Sequence, residues 1–81
     1  MDHYLKTWPD VFSDTMHGYK KFDLRVNDRG FARGDMLILQ EYDPETNQYS
    51  GRTLMRQVGY MLEGGRFGLP KNMIIMSLVM V

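Results

Sequence analysis

In Gly18-Tyr19-Lys20-Lys21-Phe22-Asp23-Leu24-Arg25, and on to Val26, polar and apolar residues alternate strictly from Lys21 onward. A period of two is the signature of a β-strand with one buried face and one wet face. The pattern predicts a strand from about Phe22 to Val26, with Phe22, Leu24 and Val26 buried and Asp23 and Arg25 side by side on the solvent face. Gly18 suits the left-handed conformation that commonly ends a helix, so Lys20 falls at a helix-to-strand junction. An arginine offers a planar fork of donors and a lysine a mobile point charge, and both suit phosphate or carboxylate. Lys20, Asp23 and Arg25 together therefore point to an anion-handling cleft.

Upstream, Tyr4 to Lys6 can form a short first strand. Trp8-Pro9 then opens a helix, because proline is tolerated in the first turn, where its missing N–H costs little. That helix is expected from about Pro9 to His17, with Trp8, Phe12 and Met16 at i+4 spacing forming a core-facing stripe. Downstream, Asn27-Asp28-Arg29-Gly30 has the residue types of a turn. Gly34-Asp35 leads into a long strand, Met36 to Tyr42, and Asp43 to Gln48 forms a hairpin loop ahead of Tyr49 and Gly51-Arg52. From Thr53 to Leu62 the chain alternates loosely, with Leu54, Arg56, Val58 and Tyr60 on one side and Met55, Gln57 and Met61 on the other. Glu63 to Pro70 is glycine-dense and reads as a corner. It lacks the spacing of a dinucleotide or phosphate-loop fingerprint. The apolar run Met73 to Val81 is far shorter than the roughly 20 residues a spanning helix needs, and reads as a buried central or closing strand.

A chain of 81 residues makes one domain, 1–81, with a small core and a narrow margin of stability. At 43% hydrophobic and 25% charged it has the composition of a globular protein. The absence of cysteine excludes disulfides, thiolate metal sites and cysteine nucleophiles, and fits a reducing cytoplasm. The two histidines, His3 and His17, are not spaced for a shared metal, and neither serine considered, Ser13 or Ser77, sits in a nucleophile elbow. No metal and no cofactor is expected, nor is a secretory leader at the amino terminus. Ten basic residues balance ten acidic ones, so net charge carries no argument for nucleic acid. Local charge does: Lys20, Lys21, Arg25, Arg29 and Arg33 cluster in one segment, while Glu41, Asp43 and Glu45 cluster in the next turn.

The pattern G-x-K-x-x-D-x-R, followed by Asn27-Asp28-Arg29 and by Gly34-Asp35 opening a strand, resembles the ASCH domain of the PUA-like superfamily. The likeness extends to His3-Tyr4-Leu5-Lys6, Pro9 and Phe12, and to Leu39-Gln40-Glu41-Tyr42-Asp43, Tyr49-Ser50-Gly51-Arg52 and Leu62-Glu63-Gly64-Gly65. In that form it is similar to the small ASCH-related domains of bacteria and phages. The resemblance implies a mainly β (α+β) fold, a small barrel of about five to six strands with one N-terminal helix packed at its end.

It also implies a cleft at the barrel mouth. Lys20, Asp23, Arg25, Asn27, Arg29, Tyr49 and Arg52 are its candidate ligand-binding residues. RNA or a nucleotide is the expected partner, with a host protein as an alternative, no membrane, and a monomer or weak dimer in the cytoplasm. Tyr19 and Tyr49, beside turns and near basic residues, are the tyrosines expected to be exposed and able to stack on bases. Members of the superfamily also include an amidohydrolase that deacetylates acetylcytidine with a lysine, a threonine and a glutamate. Here Lys20 keeps the lysine, Asp23 stands at the threonine position, and Glu41 and Glu63 are the glutamates to test. Lys20 and Asp23 are thus catalytic candidates only if the chain is an enzyme, and an aspartate replaces a hydroxyl nucleophile poorly.

Overall fold

A computed structural model covers residues 1–81. Its elements are β1 (Asp2–Thr7), α1 (Pro9–Met16), β2 (Phe22–Val26), β3 (Met36–Asp43), β4 (Gln48–Glu63) and β5 (Met73–Val79). The strands form one sheet in the order β1-β3-β4-β5-β2. Only β1 and β3 run parallel; the other three pairings are antiparallel. The short β2 therefore lies beside the carboxyl-terminal strand rather than its sequence neighbours. No helix is long and apolar enough to cross a membrane.

The expected boundaries of β2 hold, as does the position of α1. Pro9 occupies the first helical turn, and the chain leaves the helix through Gly18 at φ +81°. Of the expected stripe, however, only Phe12 is buried; Trp8 and Met16 are exposed. An eight-residue helix has little more than two turns, and this one lies on the sheet through its centre, chiefly against β3.

The sheet curls into a half-barrel that stays open, which corrects the expectation of a barrel. Its outer strands, β1 and β2, approach but do not pair. Arginine side chains span the seam instead. Arg25 Nη2 donates to the Lys6 carbonyl at 3.1 Å and to Thr7 Oγ1 at 3.3 Å, and Arg29 Nη1 donates to the Tyr4 carbonyl at 2.8 Å. A guanidinium bridge needs more room than the ladder spacing of about 4.8 Å, so these contacts hold the edges apart as well as together. Two of the facing carbonyls of β2 are capped too, Phe22 by Lys20 Nζ and Val26 by the Asp28 N–H. Edge carbonyls so occupied are poor templates for another strand.

The larger departure lies in β2 itself. Phe22, Leu24 and Val26 are 47–48% exposed, whereas Asp23 is only 4% exposed. Register explains the inversion: Asp23 lies opposite Met76 and Arg25 opposite Ile74, and both partners are fully buried. Alternation determines which residues share a face, and the pairing decides which face turns inward. Burying a carboxylate is tolerated here because two cations accompany it.

The core comprises Leu5, Phe31, Leu37, Leu39, Val58, Ile74 and Met76. β5 supplies its centre and lies inside the sheet between β4 and β2, the central position that the apolar run Met73 to Val81 allows. β4 contains a bulge between Val58 and Met61. Beyond it the expected faces switch, so Tyr60 is exposed while Met61 packs on the core. The corner after β4 is tight: a Cβ on Gly64 would lie 1.8 Å from the Pro70 carbonyl oxygen, which leaves glycine as the residue that fits.

Candidate anion-binding site

Asp23 is the hinge of the site. Lys20 Nζ donates to its Oδ1 at 3.3 Å, and Arg25 Nε donates to Oδ2. The three residues do come together as their spacing implies. They do so on the inner face, where the carboxylate is shielded and each cation is divided between Asp23 and a backbone carbonyl.

Two clefts adjoin this group. The first, about 230 Å³, lies under the end of α1 and is lined by His17, Lys20, Lys21 and Arg56 with Met16 and Leu78 among its apolar walls. None of its lining residues is acidic. His17 Nδ1 donates to the Ser13 carbonyl at 2.8 Å, which leaves Nε2 as the nitrogen open to a ligand. Arg56 is tethered by its Nη1 to the Met55 carbonyl at 2.8 Å and by its Nη2 to that of Thr15 at 3.4 Å. The second cleft, about 380 Å³, follows the seam and contains Arg25 and Arg29 over Leu5, Leu24 and Met73, with Asp28 at its rim. Asp23 joins the two, since Lys20 lines the first cleft and Arg25 the second. Both clefts present cationic side chains beside apolar walls.

Tyr49 and Arg52 are not part of this arrangement. Tyr49 is exposed, as expected, but lines a third cleft with Glu41 and Asp43. Arg52 forms a two-pronged pair with Glu41, Nε to Oε1 and Nη2 to Oε2, each at 3.0 Å, and Ser50 donates to the same carboxylate at 2.6 Å. Hydrogen bonds from Arg52 and then Ser50 hold the Glu41 carboxyl below its usual range, and the pair raises Arg52 in turn. The Arg52 guanidinium also sits 5.1 Å from the Phe12 ring. Asn27 turns its backbone N–H to the Asn72 carbonyl and has no side-chain role in either cleft. Neither Glu41 nor Glu63 is a partner of Lys20 or Asp23.

Sequence reasoning missed Lys21, His17 and Arg56 as residues lining the first cleft. Arg56 carried a signal: it shares a face with Leu54 and Val58, and a charge among inward-facing apolar residues marks a cavity wall. A third carboxylate, Asp35, is bound to a different task. His3 Nε2 lies 2.8 Å from it, the Ala32 N–H donates to it at 3.0 Å, and the Met1 amino group is 3.3 Å away. These bonds, His3 foremost, lower its pKa to about 2.

Residues 2–78 match the family described as Domain of unknown function (DUF3850). The chain belongs to that family. The DUF3850 match takes in β1 to β4, β5 as far as Leu78, the seam and every charged residue of both clefts. A search of curated proteins returned no match.

Proposed function

We propose that this DUF3850 domain is a binding module for single-stranded RNA or a nucleotide, seated in the two clefts that meet at Asp23. One observation carries the reading: the cleft beneath α1 gathers Lys20, Lys21, Arg56 and His17 without an acidic residue in its lining. Net charge is zero, so this is a local concentration of positive potential in a concave site, the arrangement that attracts phosphate. Arg25 and Arg29 extend it along the seam, where phosphates of the same strand can follow. Tyr19, exposed beside the first cleft's Lys20, offers a face for stacking a base. The resemblance of the G-x-K-x-x-D-x-R segment to ASCH domains of the PUA-like superfamily supports the same function, and the cysteine-free composition fits a cytoplasmic setting.

Fluorescence anisotropy with labelled single-stranded RNA at low salt tests the proposal. Affinity should fall with added salt with a log-log slope of about −0.7 per phosphate neutralised. Arg56→Ala and Lys20→Ala should each weaken binding, and Asp23→Ala should alter base preference. Failure to bind RNA, nucleotides or inorganic phosphate at low salt would overturn the reading.

The contact between Lys20 and a nearly buried Asp23 favours one second reading, a nucleoside amidohydrolase. Against it, Asp23 is committed to two cations and no glutamate accompanies it. Turnover of acetylcytidine that disappears in Lys20→Ala would establish the enzyme.

A further inference from the structure

The corner between β4 and β5 carries an aromatic side chain that the core does not use. Phe67 is 81% exposed, and its backbone lies at φ +52°. A single exposed apolar residue is ordinary on a protein surface. A bulky residue in the left-handed region is not, because its Cβ crowds the carbonyl where glycine would sit without strain. The loop is nevertheless well held. The Gly64 N–H donates to the Met73 carbonyl at 2.8 Å, that of Gly65 to Leu69 at 2.7 Å, that of Leu69 to Arg66 at 2.9 Å and that of Met73 to Pro70 at 3.0 Å. Folding thus fixes the ring in solvent without burying it, and strain kept on such terms points to a ligand.

We infer, on the nucleic-acid reading above, that Phe67 is a stacking platform for one unpaired base of a strand whose phosphates lie in the Arg25–Arg29 cleft. Three features favour a base over another apolar partner. The Arg66 guanidinium lies over the ring, 4.9 Å from its centroid, so one face carries a cation and the other is left for a flat group. Charge on the loop is one-sided. From Gly64 to Val81 the only charged side chains are Arg66 and Lys71, both basic and neither in an ion pair. Lys71 runs alongside the loop, since a Cβ on Gly65 would lie 3.5 Å from its Cγ. The loop also begins where the cleft ends. Met73 lines the cleft and pairs with Val26, and the Asn27 N–H donates to the Asn72 carbonyl at 2.7 Å. A strand that leaves Arg25 and Arg29 past Met73 therefore meets Lys71 and then Phe67. A base inside a duplex has both faces covered, so such a platform selects single strands.

Fluorescence anisotropy of the full chain at low salt, with a labelled single-stranded RNA and with an abasic strand of the same length and charge, tests the stacking site. Phe67→Leu keeps an apolar side chain and removes the ring. It should weaken RNA binding by about fivefold or more and leave abasic binding unchanged. Phe67→Trp should retain the wild-type affinity. Phe67→Gly should lose RNA affinity as Phe67→Leu does without lowering the melting temperature, because it relieves the backbone and empties no core. On titration with RNA, the Phe67 ring protons should move upfield, as protons under the face of a stacked base do. RNA binding by Phe67→Leu as tight as that of the wild type would overturn the stacking site and leave the cleft reading standing, whereas a wild type that binds neither strand would overturn both. An equal loss on the abasic strand, or a lower melting temperature in Phe67→Gly, would overturn the stacking site as well. So would Phe67-dependent binding to vesicles of phosphatidylcholine and phosphatidylserine with RNA affinity unchanged, which would assign the loop to a membrane surface.

Discussion

Asp23 and Glu41 are both acidic residues on strands, both nearly buried and both bound by arginine, yet their surroundings make them different objects. Glu41 lies inside the sheet, paired with Thr7 of β1 on one side and facing the bulge in the β3–β4 pairing on the other. Arg52 meets it with two parallel bonds, Ser50 adds a third, and the guanidinium rests near Phe12, so the group is closed on itself. Asp23 lies where the sheet is not paired on its far side. Its cations divide their donors between the carboxylate and carbonyls at the seam, and each borders an open cleft. Similar residue types therefore make a staple at a bulge inside the sheet and a charge-presenting site beside its open edge.

The severest way to break this comparison is to end the chain at Lys71. β5 lies between β4 and β2, so its removal detaches the Asp23 region and empties the core of Ile74 and Met76. The truncated chain should show no cooperative thermal transition by circular dichroism, and a sharp melt would mean that the Glu41 half folds by itself.

Asp23→Ala should have the next largest effect. It leaves Lys20 and Arg25 facing each other without their carboxylate, and the loss of two charge-assisted bonds should cost about 2 to 3 kcal/mol. Urea denaturation measures it. A loss below the ordinary surface-pair range of about 1 kcal/mol would show that the cations find water readily and that the group is less shielded than its geometry implies.

Glu41→Gln should lower the melting temperature by less than Asp23→Ala and leave RNA affinity unchanged, since the Glu41 pair opens on neither basic cleft. Equal losses of RNA binding in Glu41→Gln and Lys20→Ala would erase the functional distinction between the two regions.

The smallest effect is in acid. Asp35, at about 2 against an ordinary 3.8, releases its proton more readily when folded. Its contribution is therefore complete above the ordinary value and disappears as pH falls from about 4 towards 2. Glu41, also lowered, acts in the same direction. Asp35→Asn should flatten, without abolishing, the fall in stability over this window in urea titrations. An unchanged slope would assign the acid sensitivity to Glu41 and leave Asp35 without a part in it.

Periodicity and local chemistry made the elements legible. The alternation from Phe22 to Val26, Pro9 at a helix start, Gly18 at its exit and the apolar run after Lys71 each depend on a few neighbouring residues, and each lies where it was expected. The contact of Asp23 and Arg25 was legible for the same reason, because i and i+2 share a face in any strand, and Lys20 reaches Asp23 from the junction just before β2. The grouping of Tyr49 and Arg52 with them was not, since it required knowing which strands adjoin. Arg52 found its partner across the β3–β4 ladder instead.

What the chain determined by itself was therefore local: where strands and a helix begin, and which side chains stand together along one element. Tertiary structure alone decided which face of β2 turned inward. A period of two is symmetric between its faces, and burying Asp23 became favourable only when Lys20, Arg25 and the Lys6 carbonyl were all in reach. It likewise decided that the sheet would remain open, because arginines in the seam occupy the space and the acceptors that a further ladder would need. The gathering of Arg56 and His17 beside Lys20 also belongs to tertiary structure. Those residues are far apart in the chain, and only the curl of the sheet under α1 brings their charges to one cleft.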